Sequence, residues 1–409
     1  MIDVNSGLFK KGIKKRLPLN GRTEEVDTYL IPVEKLFFND LNSRIATYSE
    51  SYRKEYGESL SSLLGRDKER YNDVVSGYIK ESAADGGASF RATKEDIREK
   101  GQREPGVILT DGRIVDGNRR FTCIRELFKE TGKADFGYFE AAVLDASKVD
   151  AKTIKRLELA LTFIDPPKEY NKVEQCAGFY LDVMKNHIIS EAEYQYATNR
   201  TDPEMKNLKN LVETMLEYLT WLNQPEAFYI IKQNRLDGPF EELYKFRSSI
   251  GSNAWNEKKF AFFSYLKFHS KGDTTREMRE LIKSAKDSGT LFNRVEKTAK
   301  EKRADIINAI SGIGEKDETR KRETQRISDA IVADIKKSFD AGSMVEKQEK
   351  TALEPLQAIE NSRKSLHKIN TAAVSSLDEQ TKEKARKELL ELEKVLQKVK
   401  DAFASGTDA

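Results

Sequence analysis

The spacing of apolar residues changes near residue 150. Before that point, short apolar runs bounded by turn residues predict β-strands at 28–33, 106–110, 113–115 and 138–144. Asp111-Gly112 is typical of a tight turn between two of them. Apolar residues recur at spacings of three and four from Phe121 to Phe128, which predicts an amphipathic helix ending near Gly132. Residues 1–150 are therefore predicted to form an α+β domain, with an irregular basic segment before Thr28 and an insertion at about 45–92.

Beyond residue 150 the pattern predicts helices alone. Residues 151–300 are rich in aromatic residues, which is typical of the core of a helical domain. Residues 301–409 are dominated by Lys, Glu, Ala and Leu, and two long helices are predicted at about 345–370 and 376–403. The second carries an apolar seam of Leu389, Leu392, Val395, Leu396 and Val399, which favours a helical hairpin or a coiled coil and predicts a homodimer.

Composition excludes several classes of protein. The 409 residues include 71 basic and 68 acidic side chains, a formal net charge of +3 that does not by itself demand a nucleic-acid partner. Two cysteines exclude a disulfide scaffold, and three widely separated histidines make a zinc site improbable. No run of about 18 apolar residues occurs, so no membrane span is expected. A cytoplasmic protein is the expectation.

The most informative segment is the strand, turn and helix around Asp116-Gly117-Asn118-Arg119-Arg120. Arginines in the first turn of a helix oppose the helix dipole, and a phosphate bound there would remove the conflict. Guanidinium groups also bind phosphate through paired hydrogen bonds. The alternative is that Asp116 only caps the helix, while both arginines face solvent or pair with Glu104 or Glu126.

The segments around this motif resemble the N-terminal domain of ParB-like partition and clamp proteins, a fold shared with sulfiredoxin. Residues 33–44, ending in Arg44, are similar to the first box of the family, and residues 97–105, with Gln102, are similar to its Gly-Gln-x-x-Pro segment. The motif at 114–121 is similar to the Gly-Glu-Arg-Arg box that holds nucleotide phosphates. Residues 160–174 align with the helix of its Glu-Asn-x-x-Arg box. Order and spacing agree over roughly 140 residues, apart from the insertion.

The resemblance implies a nucleoside triphosphate, CTP or ATP, with or without Mg²⁺. It implies binding by Asp116, Gly117, Asn118, Arg119 and Arg120, together with Arg44 and Gln102. Asn118 replaces the family's glutamate, at the position where sulfiredoxin has its reactive cysteine, so that redox activity is excluded. Cys123, one turn further, is interpreted as a packing residue.

The last box is lost in this chain, because Phe163, Ile164 and Pro167 occupy its defining positions. These residues cannot bind a metal or a triphosphate, so we expect weak or absent hydrolysis.

The helices after Asn171 lie where ParB-like proteins carry a helix-turn-helix. Ser190 to Glu193 is a capping box, and the following helix presents Arg200, Lys206 and Lys209 as candidate DNA contacts. The resulting hypothesis is a ParB-like, nucleotide-responsive DNA-binding protein of partition, clamp or mobile-element and phage-defence type, with a possible partner ATPase. Two alternatives remain: an enzyme on the same fold (nuclease, NTPase or small-molecule kinase), and an interaction scaffold that binds no nucleotide.

Overall fold

A computed structural model describes residues 1–6, 9, 11–19, 22–39, 42, 45–82, 87–163, 171–270, 272–313 and 317–405. These residues divide into two compact units, Met1–Ser343 and Met344–Ala409. The first unit contains a mixed sheet and most of the helices. The predicted order, an α+β part followed by a helical part, is confirmed.

A six-stranded sheet with the order β1-β2-β6-β4-β5-β3 organises the N-terminal part. Its strands are β1 (Lys11–Leu19), β2 (Arg22–Pro32), β3 (Phe37–Phe38), β4 (Gly106–Leu109), β5 (Arg113–Asp116) and β6 (Tyr138–Leu144). β4 is antiparallel to β5 and parallel to β6, and β3 is parallel to β5. The turn that follows β5 therefore emerges from the interior of the sheet.

Alternating side chains give this sheet two buried faces. Ile108 and Ile114 face one core, where they pack with Phe121 of the helix that follows β5. Val107 and Val115 face the other core, which a second helix covers. Strands buried on both faces explain why residues 106–110 form a continuous apolar run.

Six helices accompany the sheet. They are α1 (Ala46–Tyr56), α2 (Leu60–Arg66), α3 (Lys68–Glu81), α4 (Ala88–Lys100), α5 (Asn118–Thr131) and α6 (Ala151–Phe163). The predicted insertion at about 45–92 contains α1, α2, α3 and the start of α4. α5 has the predicted bounds, and Gly132 ends it in the left-handed conformation. Phe121, Ile124 and Leu127 are buried as predicted, whereas Phe128 is partly exposed.

The basic N-terminal segment is a β-hairpin, so the prediction of an irregular segment before Thr28 was wrong. β1 pairs antiparallel with β2, from Lys14 opposite Asp27 to Leu19 opposite Arg22. On β1 only Leu17 is a fully buried apolar residue, and charged side chains occupy four of the other eight positions. The hydrophobic alternation was therefore too weak to indicate a strand that cross-strand pairing forms.

Polar contacts to two buried side chains, Arg125 and Glu174, pack the insertion onto the rest of the unit. Arg125 of α5 is buried and binds Glu69 at 2.7 Å and Asp73 at 3.1 Å, both on α3. At the start of α1, the Thr47 hydroxyl donates to the buried carboxylate of Glu174 at 2.5 Å. Glu174 lies on the helix after residue 170, so α1 joins the sheet domain to the helical part.

The helical part of the first unit has its own core. Its helices are α7 (Lys172–Phe179), continued by a π-helical turn (Tyr180–Lys185), α8 (Glu191–Thr198), α9 (Asp202–Trp221), α10 (Phe228–Gln233), α11 (Asp237–Ser249), α12 (Ser252–Phe268), α13 (Thr274–Lys286), α14 (Thr290–Glu301), α15 (Arg303–Ser311) and α16 (Glu318–His367) up to Ser343. The aromatic residues of 151–300 mostly fill this core, as predicted. Within the described ranges, no helix combines the length and apolar character that crossing a bilayer requires.

The second unit contains the end of α16 and α17 (Glu379–Ser405), joined by a 3-10 segment (Thr371–Ser376). Leu389, Leu392 and Leu396 of the predicted seam are 52%, 38% and 47% exposed. The seam is therefore an exposed apolar stripe in the single chain.

Candidate functional site

A cavity of about 680 Å³ lies around the turn between β5 and α5. The described residues that line it come from β1, β5, α4 to α6 and two loops: Lys15, Arg16, Asn42, Thr93, Glu104, Val115, Asp116, Gly117, Asn118, Arg119, Arg120, Glu158, Leu161 and Thr162. Four of them are cations and three are carboxylates. All five residues of the motif, from Asp116 to Arg120, thus line the cavity.

The turn itself leaves the start of α5 without a side-chain cap. Gly117 occupies the N-cap position with φ 95° and, as a glycine, offers no side-chain acceptor. Its carbonyl accepts from the N–H of Phe121 at 2.9 Å, which closes the first helical turn. The N–H groups ahead of Phe121 have no acceptor within the helix, which is the feature that makes a helix N-terminus attract anions.

Glycine is required at position 117 for two reasons. A φ of 95° is strained for residues with a side chain. In addition, a Cβ would lie 3.0 Å from the ring of Phe139 and 3.3 Å from Gly106 Cα. The missing side chain thus makes room for packing beneath the turn, rather than for a ligand above it.

Asp116 does not cap α5, so that part of the alternative interpretation is wrong. Its carboxylate accepts from Arg120 Nη2 at 3.1 Å, and the same Nη2 lies 3.4 Å from the Pro105 carbonyl. Glu126, the other suggested partner, binds Lys80 and Lys94 instead. Asp116 therefore orients Arg120 at the edge of the cavity.

Two buried polar atoms of the motif lack hydrogen-bond partners. Among the described residues, Arg120 Nε and Asn118 Oδ1 are in this state, one a donor and the other an acceptor. Buried polar groups are nearly always hydrogen-bonded, and leaving one unpaired costs about 1–3 kcal/mol. A ligand with both acceptor and donor groups would satisfy them.

Lys15 adds a cation that sequence reasoning missed. Its side chain is only 8% exposed, and its Nζ contacts Glu104 at 2.5 Å, the Pro105 carbonyl at 2.7 Å and Asp116 at 4.0 Å. On the same strand Lys14 is 63% exposed. Nothing in the basic run distinguishes the two lysines, because burial of Lys15 depends on a contact 89 residues away.

Glu158 is the second missed residue. It lines the cavity from α6, yet it is buried and lies 3.0 Å from Lys155, which also contacts Asp182 at 3.3 Å. Burial lowers the pKa of Lys155, but the two carboxylates more than offset this effect, so the pKa lies above its usual value. Lys155 therefore stays protonated and neutralises negative charge beside the cavity.

The remaining residues implied by the resemblance are not all in the cavity. The Gln102 amide bonds the main chain of β6, donating to Glu140 O at 2.8 Å and accepting from Glu140 N at 2.9 Å. It is not among the lining residues. Arg44, Ile164 and Pro167 lie outside the described residues, and Phe163 is the last residue of α6.

Cys123 is a packing residue, as predicted. It is fully buried on α5 beside the main chain of Phe90. Burial raises the pKa of its thiol to about 12, so the reactive thiolate is scarce at neutral pH.

The three proposed DNA contacts differ in their exposure and in their partners. The predicted capping box at Ser190 and Glu193 opens α8, and α9 follows after a short turn. Lys206 is exposed on α9, but Lys209 binds Glu191 at 3.0 Å. Arg200 donates to Gln175 at 3.0 Å and lies 5.6 Å from the ring centre of Phe163. Lys206 is therefore the most exposed of the three.

Comparison with solved structures finds a Pnob8-like ParB-N domain in its C2221 crystal form, with a TM-score of 0.36 and 14% sequence identity. The match covers 66% of this chain and 97% of that chain. No protein-family model and no curated protein matches the sequence. The match names the same kind of domain as the sequence resemblance. At this identity and TM-score the match bears on no ligand or partner.

Proposed function

We propose that the first unit binds a nucleotide through its phosphates at the N-terminus of α5. The observation that supports this most directly is the buried, unpaired Nε–H of Arg120 beside a helix start that has no side-chain cap. A phosphate group satisfies both features at once, because it is an anion with several acceptor oxygens.

Each cation around the turn has a separate part in this proposal. Arg120 keeps its Nη2 on Asp116 and gives its Nε–H to a phosphate oxygen. Arg119 lines the same cavity and supplies a second guanidinium group. Lys15, held by Glu104, adds positive charge from β1. Asn118 Oδ1 accepts from a hydroxyl group of the ligand.

The ligand in this proposal is a nucleoside triphosphate, CTP or ATP. Among the described residues, no group of three or more His, Cys, Asp or Glu side chains is arranged to hold a metal ion. A Mg²⁺ ion would therefore arrive already bound to the phosphates, and it would neutralise part of their charge beside Glu104 and Asp116.

Hydrolysis should be slow or absent. A general base must be unprotonated and must reach the attacking water. Glu104 and Asp116 are engaged by Lys15 and Arg120, and Glu158 is buried beside Lys155. These three carboxylates still line the cavity, so measurable turnover would favour the alternative of an enzyme on this fold.

Thermal-shift measurements followed by calorimetry with ATP, CTP, GTP and ADP, each with and without Mg²⁺, test the proposal. We expect one nucleotide to raise the unfolding temperature and to bind with one site per chain. A response equal to that of inorganic phosphate would show an anion site without a nucleotide pocket. No response to any nucleotide would support the interaction scaffold instead.

Nucleotide-responsive binding of DNA, homodimer formation and a partner ATPase remain parts of the proposal. The exposed stripe on α17 supports the homodimer, since leucines at positions 389, 392 and 396, with Val399, follow the alternating three-and-four spacing of a coiled coil.

Charge placed in this seam should dissociate the dimer. Leu396→Lys is expected to lower the molar mass measured by light scattering at micromolar concentrations, because a buried lysine disrupts an apolar seam. Leu390→Lys is the matched control, since Leu390 is 57% exposed on the same helix and lies off the seam. A wild-type protein that is already monomeric, or equal masses for both variants, would contradict the prediction.

A further inference from the structure

A second groove lies beside α6 and has its own lining residues. Two adjoining cavities, of about 250 and 720 Å³, share Pro18, Ala160, Tyr196 and Ala197 and so form one groove. The end of the β1–β2 hairpin, α6 and α8 form its walls. Among the described residues, none lines both this groove and the cavity around Gly117.

The charged side chains among the described lining residues of this groove are all basic. Its described lining residues include Arg22, Arg156 and Arg200 but no Asp or Glu, in a chain with 68 acidic side chains. Its other polar lining residues are neutral: Thr23, Thr153, Gln195 and Asn199. By contrast, the cavity around Gly117 contains three carboxylates. The groove therefore favours an anion without requiring it to displace an acid from the lining.

An exposed aromatic ring lies in the middle of the groove. Tyr196 of α8 lines both cavities and is 75% exposed. The aromatic residues of α9, α11 and α12 are largely buried in the helical core. A ring in this position is available for stacking by a planar ligand.

Arg200 is oriented toward a defined position by its neighbours. Its Nη2 donates to Gln175, and its guanidinium group lies near the Phe163 ring. Its Nε is buried and has no hydrogen-bond partner among the described residues. Like Arg120 Nε, this donor has no acceptor, and a phosphate oxygen would provide one. Arg22 is paired with Glu24 at 2.9 Å, but its side chain is 78% exposed, so it provides charge at the rim.

We infer that this groove binds single-stranded nucleic acid. A base stacks on Tyr196, and the phosphates on either side contact Arg156 and Arg200. An aromatic platform flanked by positive charge is what sequence-tolerant single-strand binding requires. A duplex keeps its bases stacked inside, so it offers phosphates to the arginines but no base to Tyr196.

Fluorescence anisotropy with a labelled oligothymidylate of about 12 nucleotides tests the inference, using the full chain at low salt. Tyr196→Ala should weaken binding roughly 5- to 150-fold, which is the range for loss of one base stack. Tyr196→Phe should retain most of the affinity, because the ring is kept. Tyr56→Ala is the matched control, since Tyr56 is 55% exposed at the end of another helix.

A charge variant tests the phosphate contacts separately. Arg156→Glu should weaken binding at least tenfold and reduce the salt dependence, because fewer counterions are released. Arg294→Glu, on the exposed side of α14, should leave binding unchanged.

Two results would overturn the inference: no binding of the oligothymidylate at low salt, or equal affinity for wild type and Tyr196→Ala. A third result would be a duplex that binds more tightly than the oligothymidylate, with an affinity that Tyr196→Ala does not change. That result would instead assign the arginines, with Lys206, to contacts with duplex phosphates. Nucleotide binding at Gly117 is not required, so Arg119→Ala should leave oligothymidylate binding intact.

Discussion

Replacing both Arg119 and Arg120 by alanine is expected to weaken nucleotide binding at least a hundredfold. Each charge-assisted hydrogen bond contributes on the order of 1.5–3 kcal/mol, and about 1.4 kcal/mol corresponds to a factor of ten. Each single variant should therefore weaken binding at least tenfold. Isothermal titration calorimetry with the nucleotide that responds best in the thermal-shift panel is the measurement.

The double variant and the two single variants should stay folded, so a loss of affinity can be assigned to the site. Arg119 and Arg120 lie on the cavity side of α5, away from the buried face of Phe121, Ile124 and Leu127. Arg113→Ala is the matched control, because Arg113 belongs to the same strand-turn-helix unit but pairs with Asp111 outside the cavity. Unchanged affinity in the double variant would place the phosphates elsewhere.

The largest effect on stability is expected from Lys155→Met, which should lower the free energy of unfolding by about 3–5 kcal/mol. The substitution removes the cation that lies beside the buried carboxylates of Glu158 and Asp182. A buried charge that loses its partner is far more costly than a surface one. Urea denaturation followed by circular dichroism measures the loss.

Lys152→Ala on the same helix is the control, since its pair with Glu193 is partly exposed and should contribute about 0–1 kcal/mol. Replacing Glu158 by Gln and Asp182 by Asn in the Lys155→Met background should restore much of the stability, because no charge is then left unpaired. A loss below about 1 kcal/mol in Lys155→Met would show that the carboxylates are neutralised in another way.

The same variant connects stability with the nucleotide site. Glu158 lines the phosphate cavity, and Lys155 compensates its charge. At temperatures where Lys155→Met is still folded, uncompensated negative charge should weaken nucleotide binding. The phosphate site is thus supported from α6 as well as from α5.

The sequence by itself determined the local framework of the site. The strand, the turn and α5 follow from apolar spacing and from Gly117, and the Ser190 capping box follows from residues three apart. Such features depend on hydrogen bonds and contacts between near neighbours, so they are encoded within a few residues. The weak hydrophobic alternation on β1 shows the limit of such local features, because that strand forms by pairing with β2.

Only the tertiary structure decided which charged residues meet at the site. Lys15 joins Glu104 across 89 residues, while Lys14 beside it stays exposed. Gln102 matches the family segment in sequence, yet its side-chain amide is hydrogen-bonded to the main chain of β6. Asp116 is a residue type that often caps helices and it precedes α5. Gly117, however, takes the N-cap position, and Asp116 forms an ion pair with Arg120 instead. Burial and charge pairing depend on strand order and helix packing, which bring together residues that are distant in the chain.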